Sequence, residues 1–226
     1  MKVFTTLATA SALLAVTALP AAADNSRHHN DREYEVTIIN ASATIFTPIL
    51  AVAHKAGVKL FEVGAAPSDA LAEIAESGSP AGFIARLEQA PGQVGDFQVN
   101  GELLRPGEPP AVIELVAGRR FNRLSIAAMM LPTNDSFVGL QSVALPSRRG
   151  ASLTYHALGY DAGSETNDEL CPSIPGGGPC SGAGLSPEDD GEGYVRVSPG
   201  IQGGADLSGD YDWRNPVAIV TITRVR

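Results

Sequence analysis

Two turn-rich segments carry the side chains best suited to chemistry. The first is Pro132-Thr133-Asn134-Asp135-Ser136-Phe137-Val138-Gly139, and the second is Tyr160-Asp161-Ala162-Gly163-Ser164-Glu165-Thr166-Asn167-Asp168-Glu169. If the two meet, Asp135, Asp161 and Glu165 surround one point with carboxylate oxygens. Like charges held together repel unless a cation joins them. Calcium suits such a site, because it takes several oxygen ligands in a flexible geometry. Asn134, Asn167 and backbone carbonyls are candidates to complete the shell, and Gly163 permits a sharp turn. Zinc fits less well, since every donor is a hard oxygen. The alternative is that these acids are simply solvated loop residues.

Chain direction gives a reason for the two segments to meet. A strand ending near Leu131 would leave the first segment at one end of the fold. Leu140 to Leu145 would return to the other end, Pro146 to Gly150 would turn there, and Ser152 to Tyr160 would climb back. Both segments then lie at the same end, provided the connections are hairpin-like.

The remaining elements are read from alternation and turn residues. Tyr34 to Asn40 alternates as a strand does, with Tyr34, Val36 and Ile38 on one face. Ile49 to Ala53, Leu60 to Val63, Ala111 to Val116, Asn122 to Met130 and Tyr194 to Val197 are further strand candidates. Val217 to Val225 has β-branched residues on both faces, which predicts a strand buried on both sides. Ser68 to Ser77 reads as a helix stopped by Gly78, and Gly82 to Gln89 as another helical turn. Met129-Met130 reads as core, and Trp213 as a packing anchor before the last strand. Many short strands with short helices in the connections predict an antiparallel β-sandwich.

Residues 1–23 have the form of a secretory signal. Lys2 precedes an apolar run from Leu7 to Leu19, and Ala21-Ala22-Ala23 offers a cleavage site. A transmembrane anchor is the alternative, but the run is shorter than the ~20 residues a span needs. The polar stretch 24–33 is expected as a flexible lead-in, and 34–226 as one domain, secreted or periplasmic, with no integral membrane segment after signal cleavage. Cys171 and Cys180 flank a Gly/Pro-rich run, and in an exported chain they are expected to form a disulfide. A metal-binding pair is the alternative. The net charge of −9 argues against nucleic acid as a partner. The basic pairs Arg119-Arg120 and Arg148-Arg149 are isolated in this acidic chain and each reads as a solvated strand end or turn, so heparin-like partners are not expected. Asp206, Asp210 and Asp212 read as a solvated cluster.

The chain resembles the spondin domain, the module found in F-spondin and in exported bacterial proteins. Leu131-Pro132-Thr133-Asn134-Asp135-Ser136-Phe137-Val138-Gly139 and Tyr160-Asp161-Ala162-Gly163-Ser164-Glu165 carry the resemblance. Tyr34-Glu35-Val36-Thr37-Ile38, Phe46-Thr47-Pro48, His54 and Asp212-Trp213-Arg214-Asn215-Pro216 add to it. The resemblance implies a β-sandwich like that of synaptotagmin-type modules, with calcium held by loop acids at one end. Asp135 and Asp161 would be ligands. Glu165 would be the third, where the animal pattern has aspartate.

The leading functional expectation is a non-enzymatic module that binds calcium and an extracellular or cell-surface protein or glycan, in adhesion or matrix association. An exported hydrolase is a second reading. His54 and His156 are the histidines outside the polar lead-in, and Asp161 with Glu165 would be its carboxylate pair. The sequence has no Gly-x-Ser-x-Gly elbow and no His-Glu-x-x-His. Calcium-dependent membrane docking is a third reading, with Phe137 as the apolar loop tip.

Overall fold

The computed structural model describes residues 31–186 and 191–226. The expected signal segment 1–23 and most of the polar lead-in lie outside the described residues. The chain forms β1 (Asp31–Asn40), β2 (Ile45–Phe46), β3 (Leu50–His54), α1 (Asp69–Ser77), α2 (Ala81–Glu88), β4 (Val94–Val99), β5 (Ala111–Gly118), β6 (Arg123–Leu131), β7 (Ser136–Ala144), β8 (Ser152–Asp161), β9 (Arg196–Val197) and β10 (Ala218–Arg224). The long strands run in the order β4-β3-β6-β7-β8-β10-β1-β5, each antiparallel to its neighbours. The sheet curls into a nearly closed sandwich, which bears out the expected fold class. Its two outer strands, β4 and β5, come together at a seam where the Asp96 carboxylate accepts the Val116 N–H at 2.7 Å.

One apolar cluster fills the inside of the curl, including Tyr34, Val36, Ile38, Leu115, Ile126, Met130, Val220 and Ile222. A second lies outside the wall of β3, β6 and β7, where α1 and α2 cover it with Leu71, Ile74 and Phe83. Burying side chains of this size stabilises the fold by roughly 1.5–3 kcal/mol each. α1 starts where expected: the Ser68 side chain accepts the Leu71 N–H, and Gly78 ends the helix with φ 72°. A Cβ on Gly78 would lie 2.6 Å from Thr47 Cγ2, so the helix end packs directly on the chain after β2.

The strand buried on both faces is β6, whose residues Leu124 to Leu131 are all buried. It has the inner core on one side and the second, helix-covered cluster on the other. β10 instead alternates, with Ala218, Val220 and Ile222 buried and Ile219, Thr221 and Thr223 partly exposed, because among the described residues no helix covers its outer face. That corrects the expectation of two-sided burial for the last strand.

Other boundaries also shift. Asp31 to Glu33 belong to β1 and pair with Gly118 to Val116, so the ordered domain begins before Tyr34. Leu60 to Val63 is not a strand, because both edges of β3 are already taken by β4 and β6. Leu60 and Phe61 instead donate their backbone N–H groups to Gln141 Oε1, and the Phe61 ring caps the outer wall. β4 is a strand that alternation in the sequence did not mark.

Candidate metal centre

β6, β7 and β8 are consecutive antiparallel neighbours, so the connection after β6 and the chain after β8 emerge at the same end. Only Pro132 to Asp135 form the turn. Ser136 to Gly139, expected as loop, are the first residues of β7 and pair with Asp161 to Leu158. Phe137 is therefore fully buried, stacked 5.5 Å from Tyr160 and edge-on to Phe61 at 5.0 Å. It is not an apolar tip available to a membrane.

The register of Ser136 opposite Asp161 sets the site. It puts Asp135 beside Ala162, whose N–H donates to the Asp135 carbonyl at 3.2 Å. The Asp135 side chain is 0% exposed. Its Oδ2 accepts the N–H groups of Ser164 and Glu165, at 2.8 and 3.2 Å. Its Oδ1 is buried without a hydrogen-bond partner. Burial, followed by the charge of Asp161, pushes the Asp135 carboxyl up to about 7, against the pull of the two N–H donors. Gly163 makes the turn possible: with φ 67°, a Cβ there would lie 2.4 Å from the Tyr194 carbonyl oxygen.

Asp161 is equally buried but fully bonded. Oδ1 accepts the Gly163 N–H at 2.8 Å, and Oδ2 accepts from Asn167 Nδ2 at 2.8 Å and from Arg196 Nε and Nη2 at 3.2 and 3.0 Å. Burial and the nearby Glu192 raise its carboxyl above the usual range, while Arg196 opposes them. Arg196 also pairs with Glu192, which accepts from Asn167 as well.

The structure thus brings Asp135, Asp161 and Asn167 together. Glu165 is nearby and buried, with its N–H on Asp135 and its Oε1 accepting from Ser186 Oγ at 2.9 Å. Asn134 is committed elsewhere: its Nδ2 donates to Asp168 Oδ1 and its Oδ1 accepts the Glu169 N–H. Among the described residues, no group of three or more His, Cys, Asp or Glu side chains is already arranged around a metal position. Carboxylate oxygens are the hard donors that calcium takes, and Asp135 Oδ1 is a buried one without a partner, whereas both oxygens of Asp161 are taken by the N–H groups of Gly163, Asn167 and Arg196.

Sequence reasoning missed Arg196, Glu192 and Ser186. They reach the site from more than 20 residues downstream of Asp161, and no spacing in the sequence ties them to it. The other singled-out residues lie apart. His54 is buried, with Nδ1 bonded to the Lys55 carbonyl at 2.7 Å and Nε2 to Ser125 Oγ at 2.8 Å. His156 is exposed on β8. Asp206 accepts the Cys171 N–H, and Asp212 accepts the Ile201 N–H and pairs with Arg214. Cys171 and Cys180 are disulfide-bonded, and Cys180 packs with Ile174 and Leu207 in a small cluster of its own.

The family model described as Spondin_N matches residues 26–169. The chain belongs to the Spondin_N family. The Spondin_N match takes in β1 to β8 together with Asp135, Asp161, Glu165 and Asn167, and it stops at Glu169, before the disulfide and before Arg196. Spondin_N domains are extracellular, and the disulfide fits an oxidising compartment. No curated protein sequence matches the chain. Among the described residues, no helix is long and apolar enough to cross a membrane.

Proposed function

We propose that this protein is an exported, non-enzymatic binding module whose loop end holds calcium. Bound calcium would fix the turns after β6 and β8, so that this end of the fold presents one shape to an extracellular or surface partner. The observation that carries the reading is Asp135 Oδ1, a buried carboxylate oxygen without a bond, beside the buried carboxylate of Asp161. A buried charge of this kind is costly unless a cation or a proton satisfies it. Asp135 and Asp161 would hold the ion, with Glu165 and the side-chain oxygen of Asn167 within the same turns. Family membership supports the same assignment, because the matched region includes all of these residues.

The non-enzymatic part of the reading is supported by the placement of the histidines. His54 is occupied inside the wall by Ser125 and Lys55, and His156 faces outward from β8. Neither is bonded to Asp135, Asp161 or Glu165 as a general base would be.

Calorimetric titration of calcium into chelator-treated protein tests the proposal. Wild type is expected to bind one ion and to melt at a higher temperature in its presence, by about 2.7 kcal/mol of added stability at a hundredfold excess over Kd. Asp161→Asn is expected to bind much more weakly. Wild-type titrations without heat and without a melting shift, or an Asp161→Asn variant that binds as wild type does, would remove the site.

A further inference from the structure

Basic residues far apart in the sequence lie at the same end of the sheet, away from Asp135 and Asp161. β6 leaves that end at Arg123, β7 comes back to it at Ala144, β8 leaves at Ser152 and β10 returns at Arg224. The β5–β6 connection therefore presents Arg119 and Arg120 there, and the β7–β8 connection presents Arg148 and Arg149, all four exposed.

Backbone and side-chain bonds tie these connections into one surface. Leu145 N–H donates to the Asn122 carbonyl at 3.0 Å, and Gly150 N–H donates to the Arg224 carbonyl at 2.7 Å. Arg149 Nε donates to the Val225 carbonyl at 3.1 Å, and Arg224 Nη1 donates to the Ser147 carbonyl. The Arg120 guanidinium lies 4.7 Å from the Phe121 ring centre, which supports it against the buried aromatic. Of the acids at this end, Glu33 is paired with Arg226 at 3.0 Å, the Asp96 carboxylate accepts the Val116 N–H, and Asp31 stands opposite Gly118. Among the described residues, Arg119, Arg120, Arg148 and Arg149 form no ion pair. Each pair lies on a solvated turn at a strand end, as the sequence suggests, and the antiparallel register places both at the same end of the sheet.

We propose that this basic end binds an extended sulfated polysaccharide. Guanidinium groups present paired N–H donors that match the oxygens of an oxyanion. The cations are spread over two connections and a strand end, so a ligand that satisfies them must be long and carry repeated charge. The surface does not suit the other common polyanions. Its exposed large apolar side chains, Val116, Leu153 and Val225, are single residues on β5, on β8 and after β10, too few to form the apolar face that holds a protein in a bilayer interface. Its aromatic ring Phe121 is buried, and the Tyr155 hydroxyl is committed to the Ala144 carbonyl, so stacking platforms for bases are lacking.

The test is binding of the purified protein to immobilised heparin, used as a sulfated probe, at increasing salt. Wild type is expected to bind, and to be released by salt because exposed charge pairs are screened over about 8–10 Å at physiological ionic strength. The paired reversals Arg119→Glu/Arg120→Glu and Arg148→Glu/Arg149→Glu are each expected to weaken binding about tenfold. Arg105→Glu, on the β4–β5 connection at the other end, is expected to bind as wild type, and circular dichroism checks that every variant is folded. Binding is expected to be the same in calcium and in chelator, which separates this surface from the acidic site. Wild type that fails to bind heparin, paired reversals that bind as wild type, or binding lost in chelator would overturn the proposal. So would equal or tighter binding to phosphatidylserine vesicles or to a single-stranded oligonucleotide.

Discussion

Arg196 lays two donors, Nε and Nη2, on a single oxygen of Asp161, at 3.2 and 3.0 Å. The carboxylate is fully buried, whereas the arginine side chain is 32% exposed. Arg196 is thus a cation supplied by the chain itself, held from the solvent side over an acid that calcium would also claim. Replacing it with glutamine leaves Asp161 without its counter-charge. In chelator, Arg196→Gln is expected to lose about 1–3 kcal/mol, below the usual cost of breaking a fully buried pair because the arginine is part-solvated. Thermal unfolding with and without calcium checks this: the deficit should shrink in calcium, and calorimetry should show tighter ion binding than in wild type.

The two neighbouring aspartates should respond in opposite ways. Asp135→Asn keeps an amide oxygen for the Ser164 and Glu165 N–H groups and removes a charge whose other oxygen is unbonded. In chelator this variant is expected to be at least as stable as wild type, while its melting temperature no longer responds to calcium. Asp161→Asn strands Arg196 and is expected to be destabilised in chelator by about 1–3 kcal/mol. Urea unfolding of both variants at neutral pH gives the comparison.

His54 predicts a loss of stability on the acid side. The Lys55 carbonyl can only accept, so Nδ1 carries the proton and Nε2 accepts from the Ser125 hydroxyl. Ser125 Oγ in turn accepts the Ser142 N–H. Burial, aided by the charge of Arg123, lowers the His54 pKa below its ordinary 6.5, although its bond to the Lys55 carbonyl acts the other way. Between that value and the lower one in the fold, the unfolded chain binds a proton that the folded chain does not. Stability from this group is therefore complete above about pH 6.5 and declines as pH falls toward the folded pKa. Urea midpoints from pH 7.5 to pH 5 should fall less steeply in His54→Gln than in wild type.

Removing the disulfide should loosen the chain downstream of the family match. Cys171 and Cys180 close a loop of sequence separation 9, and Cys180 packs with Ile174 and Leu207. For a loop of this length, the double variant Cys171→Ala/Cys180→Ala is expected to lose at most about 3 kcal/mol. Calorimetric unfolding measures that loss. The Cys171 N–H donates to Asp206, so amide exchange of this segment should rise as well.

Much of the fold was legible because its signals are local. The alternation of Tyr34, Val36 and Ile38 marked β1, and the Ser68 cap with the Gly78 stop bounded α1 nearly to the residue. The meeting of Asp135 and Asp161 followed from strand direction alone, once β6, β7 and β8 were taken as hairpins. What failed depended on which outer faces the helices cover. Ser136 to Gly139 read as loop because they follow a turn, yet they are wall residues, with Val138 in the inner core and Phe137 in the outer cluster with Phe61. Val217 to Val225 read as buried on both sides because its β-branched residues suit either environment. Arg196 was missed because the short segment that delivers it is placed by long-range bonds, to β8, Gly163 and Ala65, that no local pattern in the sequence marks.

The seam between β4 and β5 has a consequence for how this protein behaves in a crowd of its own copies. The outermost strands of an open sheet carry unpaired backbone groups that can recruit further chains edge to edge. Here the two borders face each other, and the Asp96 carboxylate spans the gap to the Val116 amide. Each border shields the other from a second molecule, so self-templating growth is blocked without a full ladder of backbone bonds along the join.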